Sequence, residues 1–589
     1  MRCAFYYTMK GHLLMKLKNI RHSKVFRVIF CLITLLLIAL FAVSTIQGRT
    51  NTEHSFLRIA SYVSAGLLGL LLFLSRMFSA PEQENDSPRS RKKTVFFVLR
   101  TIFLPLFFSI ISVLIFVARY LQENFQGVPW GQLLYHLHTP LEGTGIDSIK
   151  EPLITGIVIF ATSFLITLLF VLLLHKKQKD RRFGLVWSVF ALVLLAPNLV
   201  NFWIDFEIGD YLKFTSQKST IYEDYYVDAR DVDLTFPETK RNLIYIFLES
   251  MELSYASKEV GGNMPENYIP EFTDLALNNI TFSGDDSKLN GPYAVNGATF
   301  TMGGLVAQTS GVPLNENIVS NSTLNSTWSS ENNYLPGVYA IGDILHDQGY
   351  NQTFMIGSDG NFAGRSSYFN SHGNYKVFDY YSAVDAGYID SDYYVWWGYE
   401  DSKLIEYAKT ELTDLASKGE PFNFTMLTAD SHFVNGYYCD LCRDEFSLQY
   451  SDVVACSSRQ ITSFLSWIRE QDFYDNTTIV LCGDHCTMDS VYLEKTNTKD
   501  FDRRMYFTIV NPDPSVSYTN VYRKFTSLDM YPTTLAAMGV TIPGDRLGLG
   551  TNLFSSTSTL AEIYGMDDLN TELLKDSKLY RSQLLYSSR

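Results

Sequence analysis

Net positive charge is missing from this sequence. Its 48 Lys and Arg stand against 62 Asp and Glu, a formal charge of −14 over 589 residues. That sign excludes nucleic acid as the main partner. Long apolar runs are missing after residue 206, although they crowd the chain before it. The near-zero mean hydropathy therefore averages two unlike halves. Cysteine is scarce, with seven residues: Cys3 and Cys31 early, and Cys439, Cys442, Cys456, Cys482 and Cys486 late. The Cys-x-x-Cys at 439–442 is compatible with zinc, redox chemistry or a disulfide. A second Cys-x-x-Cys is lacking, which weakens a zinc reading. A disulfide among Cys439, Cys442 and Cys456 is expected if this half lies outside the cytoplasm. Cys482, in an apolar strand, is the expected free thiol.

The apolar half reads as membrane-spanning. A bilayer core of ~30 Å needs about 20 mostly apolar residues per helix. Five segments qualify, near 28–46, 56–74, 101–118, 153–174 and 183–200. The first run is too long for a cleaved signal peptide, and no small-residue cleavage site is evident. Basic residues give the orientation. Arg2, Lys10, Lys16, Lys18, Arg21 and Lys24 precede the first segment. Arg89, Arg91, Lys92 and Lys93 lie between the second and third. Lys176, Lys177, Lys179, Arg181 and Arg182 lie between the fourth and fifth. All three clusters fall on one side, which the rule makes cytoplasmic. Five crossings then put everything after about residue 206 outside. The external loop at 121–151 contains Trp130 and reads as an interfacial stretch or an ordinary connector.

Domain boundaries follow: a five-span domain at 1–205, a juxtamembrane linker at 206–240, an extracytoplasmic domain at 241–555 and a tail at 556–589. Trp203, Phe206, Tyr211 and Phe214 suit the headgroup level. From residue 241 short apolar runs alternate with helical stretches, which predicts a parallel α/β sheet. Where the runs end is informative. The run 243–248 is followed by Glu249-Ser250, and 353–356 by Gly357-Ser358-Asp359. The run 422–427 leads into Thr428-Ala-Asp430-Ser-His432, and 478–482 into Gly483-Asp484-His485. Ligands of open parallel sheets bind beyond the carboxyl ends of strands. Glu249, Asp484 and His485 offer two carboxylates and an imidazole, a set suited to Zn²⁺, Mn²⁺ or a similar ion rather than to Ca²⁺. In the stretch Asn296-Gly-Ala-Thr299-Phe-Thr301-Met-Gly-Gly, a Thr reaches a helix start, where N–H groups favour an anion. Thr301 is a candidate nucleophile there, or a simple N-cap.

These motifs resemble the lipoteichoic acid synthase and phosphoglycerol transferase family, within the alkaline phosphatase/sulfatase superfamily. The resemblance rests on Asn242-Leu-Ile-Tyr-Ile-Phe-Leu-Glu249-Ser250, Thr301-Met-Gly-Gly-Leu-Val-Ala, Gly483-Asp484-His485 and Ser527-Leu-Asp-Met-Tyr-Pro-Thr-Thr-Leu535. The Thr301 segment is closer to the branch that decorates periplasmic glucans than to the Gram-positive synthases, which leaves the acceptor open. The resemblance implies an α/β sulfatase-like (alkaline-phosphatase-like) domain behind the membrane helices. It implies Glu249, Thr301, Asp484 and His485 as metal ligands, with Mn²⁺, Mg²⁺ or Zn²⁺ as the ion. Thr301 becomes the nucleophile, and His432 and Arg365 the substrate-binding residues. Phosphatidylglycerol is the implied donor, a glycan or glycerophosphate polymer the acceptor, and the cell membrane the location. Phosphoethanolamine transfer is the alternative enzyme reading, and a degenerate polymer-binding or sensor domain the non-enzymatic one. No Cys or Ser stands in a Cys/Ser-x-Pro-x-Arg context, which argues against a sulfatase activity.

Overall fold

The computed structural model describes residues 91–124, 130–131, 133–134, 146–175, 180–314 and 334–585. Three helices open it: α1 (Arg91–Asn124), α2 (Ile146–His175) and α3 (Asp180–Asp205). Each contains a stretch long and apolar enough to cross a membrane, at Thr101–Gln122, Pro152–Leu172 and Trp187–Asp205. These match the third, fourth and fifth expected segments. The first two expected segments lie outside the described residues. Most of the apolar surface on these helices faces outward, with Leu165 63% exposed, as suits a hydrocarbon solvent. Some polar groups find partners within these helices. Ser109 donates to the Pro105 carbonyl at 2.8 Å, and Arg119 donates to Asn198 at 2.7 Å, linking α1 to α3.

A second compact unit runs from Trp203 onward. It is built on a six-stranded sheet: β1 (Asn242–Leu248), β2 (Asn351–Ile356), β3 (Lys376–Phe378), β4 (Phe422–Leu427), β5 (Thr477–Gly483) and β6 (Phe507–Val510), in the order β3-β2-β4-β1-β5-β6. The sheet is mixed rather than purely parallel as expected. β6 runs antiparallel to β5, pairing Cys482 with Phe507 and Ile479 with Val510. The other five strands are mutually parallel.

All seven residues of β1 are buried, because helices cover both faces. Alternate side chains of β1 serve two cores. Leu243, Tyr245 and Phe247 pack with residues of α5 (Thr301–Ser310) and α8 (Met530–Ala537). Ile244, Ile246 and Leu248 pack on the other face with residues of α4 (Pro270–Leu277), α6 (Asp401–Ser417) and α7 (Gln449–Arg469). Truncating one such residue to Ala costs about 2–5 kcal/mol.

The first core also takes side chains from the stretch read as a linker and from the tail. Ile221, Tyr222 and Ala229 are buried in it, as are Leu560, Leu569, Tyr580 and Leu584. The folded unit thus extends beyond 241–555 at both ends. The expected disulfide is not formed. The Cys439 and Cys442 sulfurs are 3.5 Å apart, those of Cys439 and Cys456 3.7 Å, and all five late cysteines are free thiols.

Candidate functional site

The three central strands β4, β1 and β5 are neighbours, so their carboxyl ends deliver side chains to one place. Glu249 follows β1, Asp484-His485 follows β5, and Thr428 to His432 follow β4. Ser250 turns the chain after Glu249 with φ of 53°, a left-handed conformation that costs a non-glycine residue energy. Four groups hold that turn. The Glu249 N–H donates to the Thr428 hydroxyl at 2.9 Å. The Ser250 N–H donates to Asp484 Oδ1 at 2.8 Å. The Ser250 hydroxyl donates to Glu249 Oε1 at 2.8 Å, and the Ser431 hydroxyl to the Glu249 carbonyl at 2.5 Å.

Thr301 comes from the opposite direction, as the first residue of α5. Its N-cap is Phe300, whose side chain makes no cap, so Thr301 is not the cap. The Thr301 hydroxyl lies 3.3 Å from Glu249 Oε2 and 3.4 Å from His485 Nε2. Two glycines allow this approach. A Cβ on Gly304 would stand 2.2 Å from the Asp484 carbonyl oxygen, and one on Gly303 2.4 Å from that of Gly297. Gln308, one turn further along, donates to the Gly483 carbonyl at 2.9 Å and accepts from the Tyr245 hydroxyl at 2.8 Å, tying α5 to β5 and β1. The competing hydroxyl of Thr309 bonds the Leu305 carbonyl and the Tyr368 hydroxyl, both at 2.6 Å, away from this cluster.

Glu249, Asp484 and His485 each offer a donor atom within 4.8 Å of the others, all of them buried. His485 Nε2 is 3.4 Å from Glu249 Oε1 and 3.4 Å from Asp484 Oδ2. His485 Nδ1 donates to the Cys486 carbonyl at 2.8 Å, which turns Nε2 toward the carboxylates. Asp484 Oδ2 is buried with no hydrogen-bond partner. A buried carboxylate oxygen left without a donor, among an imidazole, a second carboxylate and a hydroxyl, fits a divalent cation. The electrostatics agree. Burial, then the charge of Glu249, pushes Asp484 up to about 8. Burial alone would lower His485, but Asp484 and Glu249 raise it to about 9. Glu249 is held well below the usual range, where His485 overcomes the upward push of burial. In this arrangement protons stand in for a cation.

His432 lies at the rim. Its Nδ1 donates to the Phe433 carbonyl at 2.6 Å, and its ring packs on Trp397 at 4.7 Å. Burial lowers its pKa, Glu249 opposes this, and His485 and Arg365 lower it further. Arg365 starts a short helix, Arg365–Ser371, where it donates to Ser358 at 3.2 Å and lies over the Phe362 ring. The rim therefore gathers all of the expected residues, but not every strand-end carboxylate. Asp359 caps a local turn through the Asn361 N–H. Asp430 pairs with Asp401, which accepts from the Ala429 and Asp430 N–H groups at 2.8 and 3.0 Å. Sequence reading missed Ser250, Thr428, Ser431 and Trp397. The three hydroxyls carry no signal beyond adjacency to the motif, and Trp397 lies far from it along the chain.

The sulfatase family model matches residues 241–540. The chain is similar to proteins named phosphoglycerol transferase I. The one from Escherichia fergusonii is 27% identical over 442 residues, covering 73% of this chain and 54% of the relative. The one from Shigella boydii is 27% identical over 467 residues, 78% of this chain and 56% of the relative. The chain thus spans about half the length of the curated relatives it matches. Among solved structures, the lipoteichoic acid synthase of Listeria monocytogenes aligns with a TM-score of 0.41 at 16% identity, over 57% of this chain and 81% of that one.

Proposed function

From the premise that this chain belongs to the sulfatase family, we propose that it is a membrane-anchored transferase. It moves phosphoglycerol from phosphatidylglycerol to a glycan or glycerophosphate polymer of the cell envelope. The catalytic domain works outside the cytoplasm, and the N-terminus is inside. The observation that carries this reading is the Thr301 hydroxyl. It stands at a helix start, against Glu249 and His485, where an ordinary capping or core threonine would not be. The names of the curated relatives support phosphoglycerol as the group moved.

Glu249, Thr301, Asp484 and His485 are the residues that would hold Mn²⁺ or a similar divalent ion, which lowers the pKa of a bound hydroxyl and offsets phosphoryl charge. In the first step Thr301 Oγ1 attacks the phosphorus. A Thr–O–P bond forms, the bond to the diacylglycerol oxygen breaks, and the proton lost by Thr301 ends on that oxygen. N–H groups of the first turn of α5 face the phosphoryl oxygens. In the second step an acceptor hydroxyl displaces Thr301. His432 holds Nε2 open, because Nδ1 is committed to the Phe433 carbonyl. An anionic phosphate beside it favours the protonated ring, which binds the phosphoryl oxygens or protonates the leaving oxygen. In this reading Arg365 is the second substrate-binding residue.

Labelled phosphatidylglycerol with Mn²⁺ should yield diacylglycerol and a phosphoglycerol adduct on Thr301, read by peptide mass spectrometry. An adduct carrying phosphoethanolamine from the matching lipid, with none from phosphatidylglycerol, would overturn the donor. An adduct on Thr299 would move the nucleophile two residues upstream.

A further inference from the structure

A second cluster of donor atoms lies away from the sheet rim and plays no part in the chemistry above. Cys439 and Cys442 sit in the loop that follows His432, and Cys456 sits on α7. Cys439 and Cys456 are buried and Cys442 is half-buried. The three sulfurs lie within 4.8 Å of one another, with separations from Cys439 of 3.5 Å to Cys442 and 3.7 Å to Cys456. Ligands at ~2.3 Å from a tetrahedral zinc stand about 3.7 Å apart. The sulfurs are thus already spaced as edges of such a tetrahedron.

Two further features belong to the same place. The Cys442 N–H donates to the Cys439 carbonyl at 3.0 Å, a tight turn that brings the two sulfurs to 3.5 Å. Gln460, one turn beyond Cys456 on the same face of α7, places its amide nitrogen 3.2 Å from the Cys456 sulfur and 3.6 Å from that of Cys439. Its Oε1 is buried with no hydrogen-bond partner. The two ends of a side-chain amide are nearly the same shape. Turning this one by 180° aims the oxygen at the sulfurs as a fourth donor and puts the NH2 group where the oxygen now stands. A disulfide would use only two of the three sulfurs and leave both the third sulfur and the Gln460 oxygen without a role.

We propose that Cys439, Cys442 and Cys456, with the Gln460 carbonyl oxygen as fourth ligand, form a structural Zn²⁺ site. Soft thiolates and a closed tetrahedral set select zinc over the hard cations. Binding displaces the three thiol protons to solvent. The ion would staple the loop after His432 to α7 and so hold the rim of the candidate active site in place.

Full-length protein purified in detergent under reducing conditions tests this with Co²⁺ in place of Zn²⁺. Co²⁺ in excess of both clusters should give thiolate-to-Co²⁺ charge-transfer absorption, and Cys442→Ser should sharply weaken it. Oxygen and imidazole donors give no such band, so the rim cluster does not interfere. On the unaltered protein, Zn²⁺ should protect all three thiols from alkylation, and a chelator should expose them. A Co²⁺-loaded protein without the band overturns the proposal. So does a disulfide between any two of the three, found by peptide mapping of material isolated from cells without reductant.

Discussion

The rim cluster and the thiol cluster are both ligand-rich, but they are assembled in opposite ways. Glu249, Thr301, Asp484 and His485 span more than two hundred residues of sequence and meet because two strands end where a helix begins. Cys439, Cys442, Cys456 and Gln460 lie within about twenty residues, on one loop and one helix. The first set is placed by elements that are tied together independently of it, as the Gln308 bonds to the Gly483 carbonyl and the Tyr245 hydroxyl illustrate. The second joins a loop with little regular structure to a helix, so the loop depends on it. Removing a rim ligand should therefore cost chemistry and spare the fold, whereas removing a thiol should cost stability first.

The sharpest test of that contrast is Thr301→Ala. Loss of a nucleophile should reduce diacylglycerol release by on the order of 10⁴-fold or more, with an unchanged Tm. Loss of a mere capping group would cost only ~1 kcal/mol of stability and leave turnover largely intact. Asp484→Asn comes next. It should lose tightly bound Mn²⁺ in elemental analysis while keeping its circular dichroism, and full metal occupancy would refute the ligand assignment. Cys442→Ser should behave the other way round, with Tm lowered by several degrees and diacylglycerol release reduced far less than in Thr301→Ala.

Gly304→Ala probes how rigid the rim is. The added Cβ falls 2.2 Å from the Asp484 carbonyl oxygen, so α5 or the Asp484 segment must shift. Overpacking of this kind costs about 1–3 kcal/mol, and displacement of Thr301 should lower kcat more than it lowers Tm.

The smallest effect concerns Asp430. Burial, then the charge of Asp401, pushes its carboxyl well above the usual range, and Oδ2 has no partner. The folded state therefore keeps a proton that the unfolded chain releases. This contribution is present below the ordinary carboxylate pKa and is lost as pH rises toward the folded value. Asp430→Asn should match the parent near pH 4 and become the more stable of the two as pH rises, read as a widening Tm difference.

Much of the sheet was legible in the sequence. The run read at 422–427 is β4 to the residue, and those at 243–248, 353–356 and 478–482 lie inside β1, β2 and β5. Strands buried on both faces must be continuously apolar, so they stand out from the polar loops. Glu249, Asp484 and His485 were legible for the same reason, since each directly follows such a run. The direction of β6 was not, because a run as short as Phe507-Thr-Ile-Val510 carries no sign of it. The packing of Ile221, Tyr222 and Tyr580 was not legible either. Short helices with a few apolar residues look alike whether they cross a linker or cover a core.

Local composition thus determined the apolar helices, the strands and the residue types at their ends, because burial acts on each segment separately. Only the tertiary structure decided which hydroxyl meets the carboxylates and which carboxylates do not. Thr301 and Thr309 share one helix, yet one faces Glu249 and the other Tyr368. Asp484 and Asp430 both follow strands, yet one joins an imidazole and the other a second aspartate. Those outcomes rest on distances between chain segments far apart in sequence, set by how α5 and α6 dock on the sheet.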